Sequence, residues 1–151
     1  MDDIDRRILR CLQDDCRMGL TEIGERAGLS PSACHRRIRQ LEQAGMITGY
    51  GARLDPRELG YAMEMFIEVT LTSQSVEALG RFEQAVTAVP EIIECHLMAG
   101  GTDYLIRVLA RSVADFERIH RERLAKLPFI SRMESRLALR SVRQWTGYPI
   151  P

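Results

Sequence analysis

Along residues 3–15 the apolar positions Ile4, Ile8, Leu9 and Leu12 recur at steps that place them on one face of a helix. Asp2, Asp3 and Asp5 crowd its start, where carboxylates meet the positive end of the helix dipole. CRMGL breaks the pattern. Thr21 is then expected to cap a short helix over TEIGERA that stops at Gly28. A third helix follows at once: Ser30 suits its N-cap, Pro31 its first turn and Gly45 its stop. Cys34, Ile38 and Leu41 form its apolar stripe. Ser32, His35, Arg36, Arg39, Gln40 and Gln43 share the opposite face, with no acid among them. Helix, helix, tight glycine turn and helix is the order of a helix-turn-helix. Ile23, Ala27 and Leu29 would complete its small core, and Gly24 fits where the two helices press together. MITGYGARLD (46–55) reads as a two-stranded wing with glycines at its turn.

After Pro56 and Gly60 the period changes from helical to alternating. MEMFIEVTL (63–71) sets Met63, Met65, Ile67, Val69 and Leu71 against Glu64, Phe66, Glu68 and Thr70, a strand pattern. A helix is predicted from near Ser75, with Leu79, Phe82 and Val86 inward. Strands follow at 91–98 and 102–110, joined by Gly100-Gly101. Ser112 and Asp115 make a capping-box pattern for a helix running to about Leu127, and 130–142 is a last strand. Strand, Ser-Val, helix, Pro and strand thus occurs twice, at Ser75…Pro90 and Ser112…Pro128. Two tandem βαβ units predict a ferredoxin-like βαββαβ sheet with both helices on one side. Phe66, Met98, Leu105 and Leu109 fall on the uncovered face, an apolar patch of the kind that marks an association surface. A one-residue slip in strand register would exchange the faces and remove it.

The whole is therefore an α+β chain. Residues 1–54 form a winged helix-turn-helix, 55–62 a linker with about one helical turn, and 63–151 a ferredoxin-like domain. Its 151 residues are 45% hydrophobic and 28% charged, ordinary for a globular protein. Twenty-one basic residues balance 21 acidic ones, so any nucleic-acid contact needs a locally segregated basic patch. Cys11, Cys16, Cys34 and Cys95 show no Cys-x-x-Cys spacing, so they read as small buried thiols of a cytoplasmic protein. A redox role for an exposed Cys11 or Cys16 is the other reading. The start MDDIDRR lacks the basic and apolar regions of a signal peptide, and no apolar run reaches membrane-spanning length. No nucleophile–base pair, metal-ligand cluster or phosphate-cradling loop is present, which argues against an enzyme, a metal site or a cofactor.

Three stretches, IDRRILRCLQDDCR, GLSPSACHRRIRQLEQAGMITGY and EIIECHLMAGGTDYLIRV, resemble the Lrp/AsnC family of bacterial and archaeal transcription regulators. The family's helix pattern is met by Leu29, Ser30, Arg37, Ile38, Leu41, Glu42 and Gly45, and its Gly-x-x-Asp-Tyr/Phe landmark by Gly100, Asp103 and Tyr104. The resemblance runs from about Ile4 to Val142. It implies a DNA-binding N-terminal module and a C-terminal ligand-sensing domain that dimerises and commonly assembles into octamers. The implied effectors are amino acids or related small molecules.

On this reading the third helix enters the major groove of double-stranded DNA. Ser32, His35 and Arg36 lie nearest its base-contacting end, and Arg36 suits guanine O6 and N7. Gln40 shares their face. Ser30, Arg39 and the wing's Thr48 and Arg53 are placed for phosphates, and Arg37 for an intramolecular acid first and a phosphate second. The loop Gly100, Gly101, Thr102, Asp103, Tyr104 is the expected effector site, with Ser135 a weaker candidate. Asp103 would either bind an α-ammonium group or cap local amides. His96 reads as a surface strand histidine, with a pocket-lining role the other reading, and His120 as solvated. Two other functions are compatible with the chain: an architectural DNA-binding protein without effector, and a small-molecule-binding ferredoxin-like protein with an accessory helical module.

Overall fold

A computed structural model describes residues 1–151, which divide into two compact units: Met1–Arg53 together with Arg143–Pro151, and Leu54–Val142. The first unit holds α1 (Asp3–Asp14), α2 (Leu20–Ala27) and α3 (Pro31–Gln43). Helix α1 opens on a capping box, in which the Asp2 carboxylate accepts from the Asp5 amide and the Asp5 carboxylate from the Asp2 amide. Ile8, Cys11, Ile23, Ala27, Cys34, Ile38 and Leu41 form one buried cluster; of the expected positions Ile4, Leu9, Leu12 and Leu29 are only partly buried against it, and Cys11 is not among those expected. The turn between α2 and α3 is closed by Gly28 at φ +75° and by the Leu29 amide donating to the Gly24 carbonyl. A Cβ on Gly24 would lie 2.7 Å from the Leu29 carbonyl oxygen, so only glycine fits there.

The second unit is one four-stranded antiparallel sheet, β1 (Met63–Leu71), β2 (Ile92–Leu97), β3 (Tyr104–Ala110) and β4 (Ile130–Leu137), in the order β2-β3-β1-β4. Helices α4 (Val76–Thr87) and α5 (Val113–Glu122) follow β1 and β3. This is the βαββαβ order of the ferredoxin-like fold. Ile67 pairs with Ile106 at the centre, which puts the two halves of the internal repeat side by side. Met65, Ile67, Val69, Ile106 and Val108 meet Phe82, Val86 and Ile119 of the helices in one core. Glu64, Phe66, Glu68, Leu105, Arg107 and Leu109 alternate onto the other face. Phe129 takes a left-handed φ of +62°; its carbonyl accepts from the Thr72 amide beside the register shift at Thr70/Leu71. No helix is long and apolar enough to cross a membrane.

Several expectations are corrected. Residues 46–55 form no strand, so the wing is absent. Gly45 turns left-handed at φ +69°, and the Met46 and Ile47 amides both return to the Leu41 carbonyl. Tyr50 donates to Glu42 at 2.9 Å. Gly19, not Thr21, caps α2, and it does so without a side-chain bond. Of the four thiols read as buried, Cys11 and Cys34 are in the core and Cys95 is half-buried, but Cys16 is exposed. The last strand stops at Leu137, and α5 at Glu122 with a single 3-10 turn beyond it. Residues 143–151, read as part of the second domain, pack with the first unit.

Candidate nucleic-acid interface and ligand loop

Helix α3 is built to present one face. Ser30 accepts from the Ala33 amide and lies 3.2 Å from the Ser32 hydroxyl, so its first task is the cap. With the apolar stripe turned inward, Ser32, His35, Arg36, Arg39 and Gln40 are exposed on the other side. Arg37 lies between the two faces. Its Nη1 donates to Asp2 at 2.5 Å and to Asp5 at 2.9 Å. Those bonds hold the Arg37 guanidinium above its ordinary pKa, the Asp2 bond contributing most. Asp2 is held below the usual carboxylate range, first by the Asp5 amide and then by Arg37. Glu42, the acid within α3, is engaged by Tyr50, whose hydroxyl is pushed up to about 12 by desolvation and by that carboxylate.

The consequence is charge sorting on a chain of zero net charge. Asp2, Asp5 and Glu42 are bound to Arg37 or Tyr50, whereas Arg36 and Arg39 have no carboxylate partner. Two free guanidinium groups, an imidazole and amide and hydroxyl side chains along one exposed face of a helix can meet phosphates and base edges. Thr48 is exposed in the irregular segment after α3. Arg53 is not free for phosphate: its Nη2 donates to the carbonyls of Gln13 at 3.0 Å and Thr146 at 2.7 Å.

In the second unit, the loop between β2 and β3 closes through the Met98 amide on the Asp103 carbonyl and the Asp103 amide on the Val69 carbonyl. Gly100, at φ +139°, and Gly101 are exposed, and Thr102 is half-buried. Asp103 is turned inward and 8% exposed. Its Oδ2 accepts from the Leu71 amide and its Oδ1 from Gln74 Nε2, both at 2.7 Å. The carboxylate thus caps no amide of its own turn but groups that stand 32 and 29 residues earlier in the chain. Tyr104 is core: its ring lies 4.6 Å from that of Phe82 and its hydroxyl donates to Glu83. Burial, then Glu83, pushes that hydroxyl far above its ordinary value. Ser135 is exposed on β4 opposite Ile67 and makes no bond to the loop. Gln74 had no signal of its own in the polar run Thr72–Ser75. No group of three or more His, Cys, Asp and Glu side chains is placed to hold a metal ion.

The uncovered sheet face interleaves apolar and charged side chains, with Phe66 opposite Arg107, Leu105 opposite Glu68 and Leu109 opposite Glu64. Phe66, Leu105 and Leu109 are half-buried among ion pairs, Arg107 with Glu64 and Glu94 on one side and Arg136 with Glu68 and Glu134 on the other. Met98 lies just beyond β2 in the turn, 42% exposed.

Comparison with known proteins matches residues 1–42 to the AsnC-type helix-turn-helix domain and residues 64–147 to the Lrp/AsnC ligand binding domain. A proline dehydrogenase transcriptional activator of Rhodobacter capsulatus is 39% identical over 142 residues, 94% of this chain and 92% of that one. The leucine-responsive regulatory protein of Escherichia coli K12 is 36% identical over 144 residues, 95% of this chain and 88% of that one. Among solved structures, a transcriptional regulator of Neisseria meningitidis in complex with L-Met superposes with a TM-score of 0.92 at 31% identity, covering 99% and 96% of the two chains.

Proposed function

The chain belongs to the Lrp/AsnC family of transcription regulators, and from that premise we propose that it binds specific duplex DNA through α3 and that an amino acid or related small molecule modulates this binding. The observation that carries the reading is the exposed, carboxylate-free Arg36/Arg39 face of α3. Arg36, with Ser32 and His35, reads bases near the helix start; Arg39, Gln40 and Thr48 meet backbone or flanking groups. The chain acts in the cytoplasm as a regulator and not as an enzyme.

The effector contacts the open part of the β2–β3 loop, Gly100, Gly101 and Thr102, where backbone amides are accessible. Asp103 supports that loop from behind by holding Leu71 and Gln74. Two chains pair through the uncovered sheet face, where Phe66, Leu105 and Leu109 alternate with the Arg107 and Arg136 ion pairs. One observation favours a second reading, an architectural protein without effector: Asp103 and Tyr104 are both fully engaged within the chain. Thermal stabilisation of the purified chain, screened against each amino acid, separates the two. A concentration-dependent rise in Tm with one of them supports the sensing role, and no rise with any supports the architectural one.

A further inference from the structure

The last nine residues, RQWTGYPIP (143–151), make a specific set of backbone contacts with the first unit. The Gln13 side-chain amide pairs with Tyr148 in both directions: Nε2 donates to the carbonyl at 2.7 Å and Oε1 accepts from the amide at 2.8 Å. Arg53 donates to the Thr146 carbonyl, and Arg10 Nη2 to the Ile150 carbonyl at 3.1 Å. Carbonyls 146, 148 and 150 thus turn to one side, the period of an extended strand. Gly147 makes the fit possible. Its φ is +136°, and a Cβ there would fall 2.2 Å from Gln13 Cδ. Trp145 and Tyr148 stack edge to face at 5.6 Å and remain exposed, so the segment is held by its backbone and not by burial of its aromatics.

The chain passes between the units twice, at Arg53/Leu54 and at Val142/Arg143. The Arg53–Thr146 bond ties the two passages together. We infer that residues 143–151 are a second tether on the DNA-binding unit, docked on Arg10, Gln13 and Arg53, which restrains how that unit turns and so sharpens the spacing the protein accepts between two half-sites. The spacing part of this inference rests on the DNA-binding reading above; the docking part does not. A head held by one flexible connection samples many orientations, whereas a second attachment removes most of them.

The test uses the full chain, Gly147→Val, Gln13→Ala and a chain ending at Val142. Trp145 is the protein's single tryptophan, so its fluorescence anisotropy reports the tail alone. Docking predicts high anisotropy in the wild type and a fall toward that of the free peptide RQWTGYPIP in Gly147→Val and Gln13→Ala. Equal anisotropy in all three overturns the docking. Affinity is then measured for duplexes with two half-sites one helical turn apart and for duplexes with roughly 5 base pairs more, half a turn out of phase. The tether predicts that the in-phase preference falls by about threefold or more in both variants and in the shortened chain, with single-half-site affinity unchanged. An unchanged preference overturns the tether. Loss of sequence-dependent binding in the wild type itself would instead overturn the DNA-binding reading, and the anisotropy would still decide whether the tail docks.

Discussion

Arg37 Nη1 lies 2.9 Å from Asp5 Oδ1, a bond between the third helix and the first that spans 32 residues of chain. It fixes which of the arginines on α3 are structural. Arg37→Ala is expected to lower the melting temperature by a few degrees while leaving the ranking of DNA sequences unchanged. Thermal melts and a competition series on variant operators check both halves. A changed base ranking would place Arg37 in the DNA contact.

Arg36→Ala is expected to weaken the specific site by about 1–3 kcal/mol and to relax base preference at one position in each half-site. Arg39→Ala should weaken all duplexes alike and reduce the slope of log affinity against log salt by about 1. Uniform loss in the Arg36 variant would reverse the two roles. Both measurements are titrations of the same duplex set at several salt concentrations.

Asp103→Ala removes an acceptor from the buried Leu71 amide, which should cost about 1–3 kcal/mol of stability in the second unit. Denaturant unfolding measures this. Full stability with a lost ligand response would show the carboxylate acting on the ligand directly.

Acid should loosen the first unit through Asp2. Its folded pKa lies below the ordinary carboxylate value, so its contribution is present above that value and is lost as pH falls through the lower, folded one. Carboxyl NMR titration should place Asp2 below a reference peptide. Arg37→Met should return only part of the shift, because the Asp5 amide is the larger cause. Complete return would make Arg37 the dominant partner.

Leu105→Glu places a charge among Phe66 and Leu109 on the uncovered sheet face. If two chains pair there, association should weaken by several kcal/mol, since the charge would be buried without a partner. Sedimentation of wild type and variant across micromolar concentrations measures it, and a monomeric wild type would exclude the face as a pairing surface.

The parts of this molecule that were legible from sequence are those set by short-range period. Cys34, Ile38 and Leu41 announce their helix face, and Met65, Ile67 and Val69 their sheet face, because side-chain direction repeats every few residues. Gly24 was readable because close helix approach has few solutions. The errors lie where a distant group decides. No strand forms over 46–55, where the Met46 and Ile47 amides return to the Leu41 carbonyl, bonds that strand propensity does not register. Asp103 was ambiguous because its partners, Leu71 and Gln74, stand about thirty residues earlier. Arg53 looked free because its acceptors are main-chain carbonyls, which every residue carries.

The Ile150–Arg10 contact brings the end of the chain onto the first helix. A purification handle or fluorophore fused after Pro151 is therefore carried by the helix-turn-helix unit and not by the sheet unit it follows in sequence. Energy-transfer pairs meant to follow the two units need their second probe on α4 or α5, and an affinity resin that grips the carboxyl end holds the protein by its DNA-binding unit.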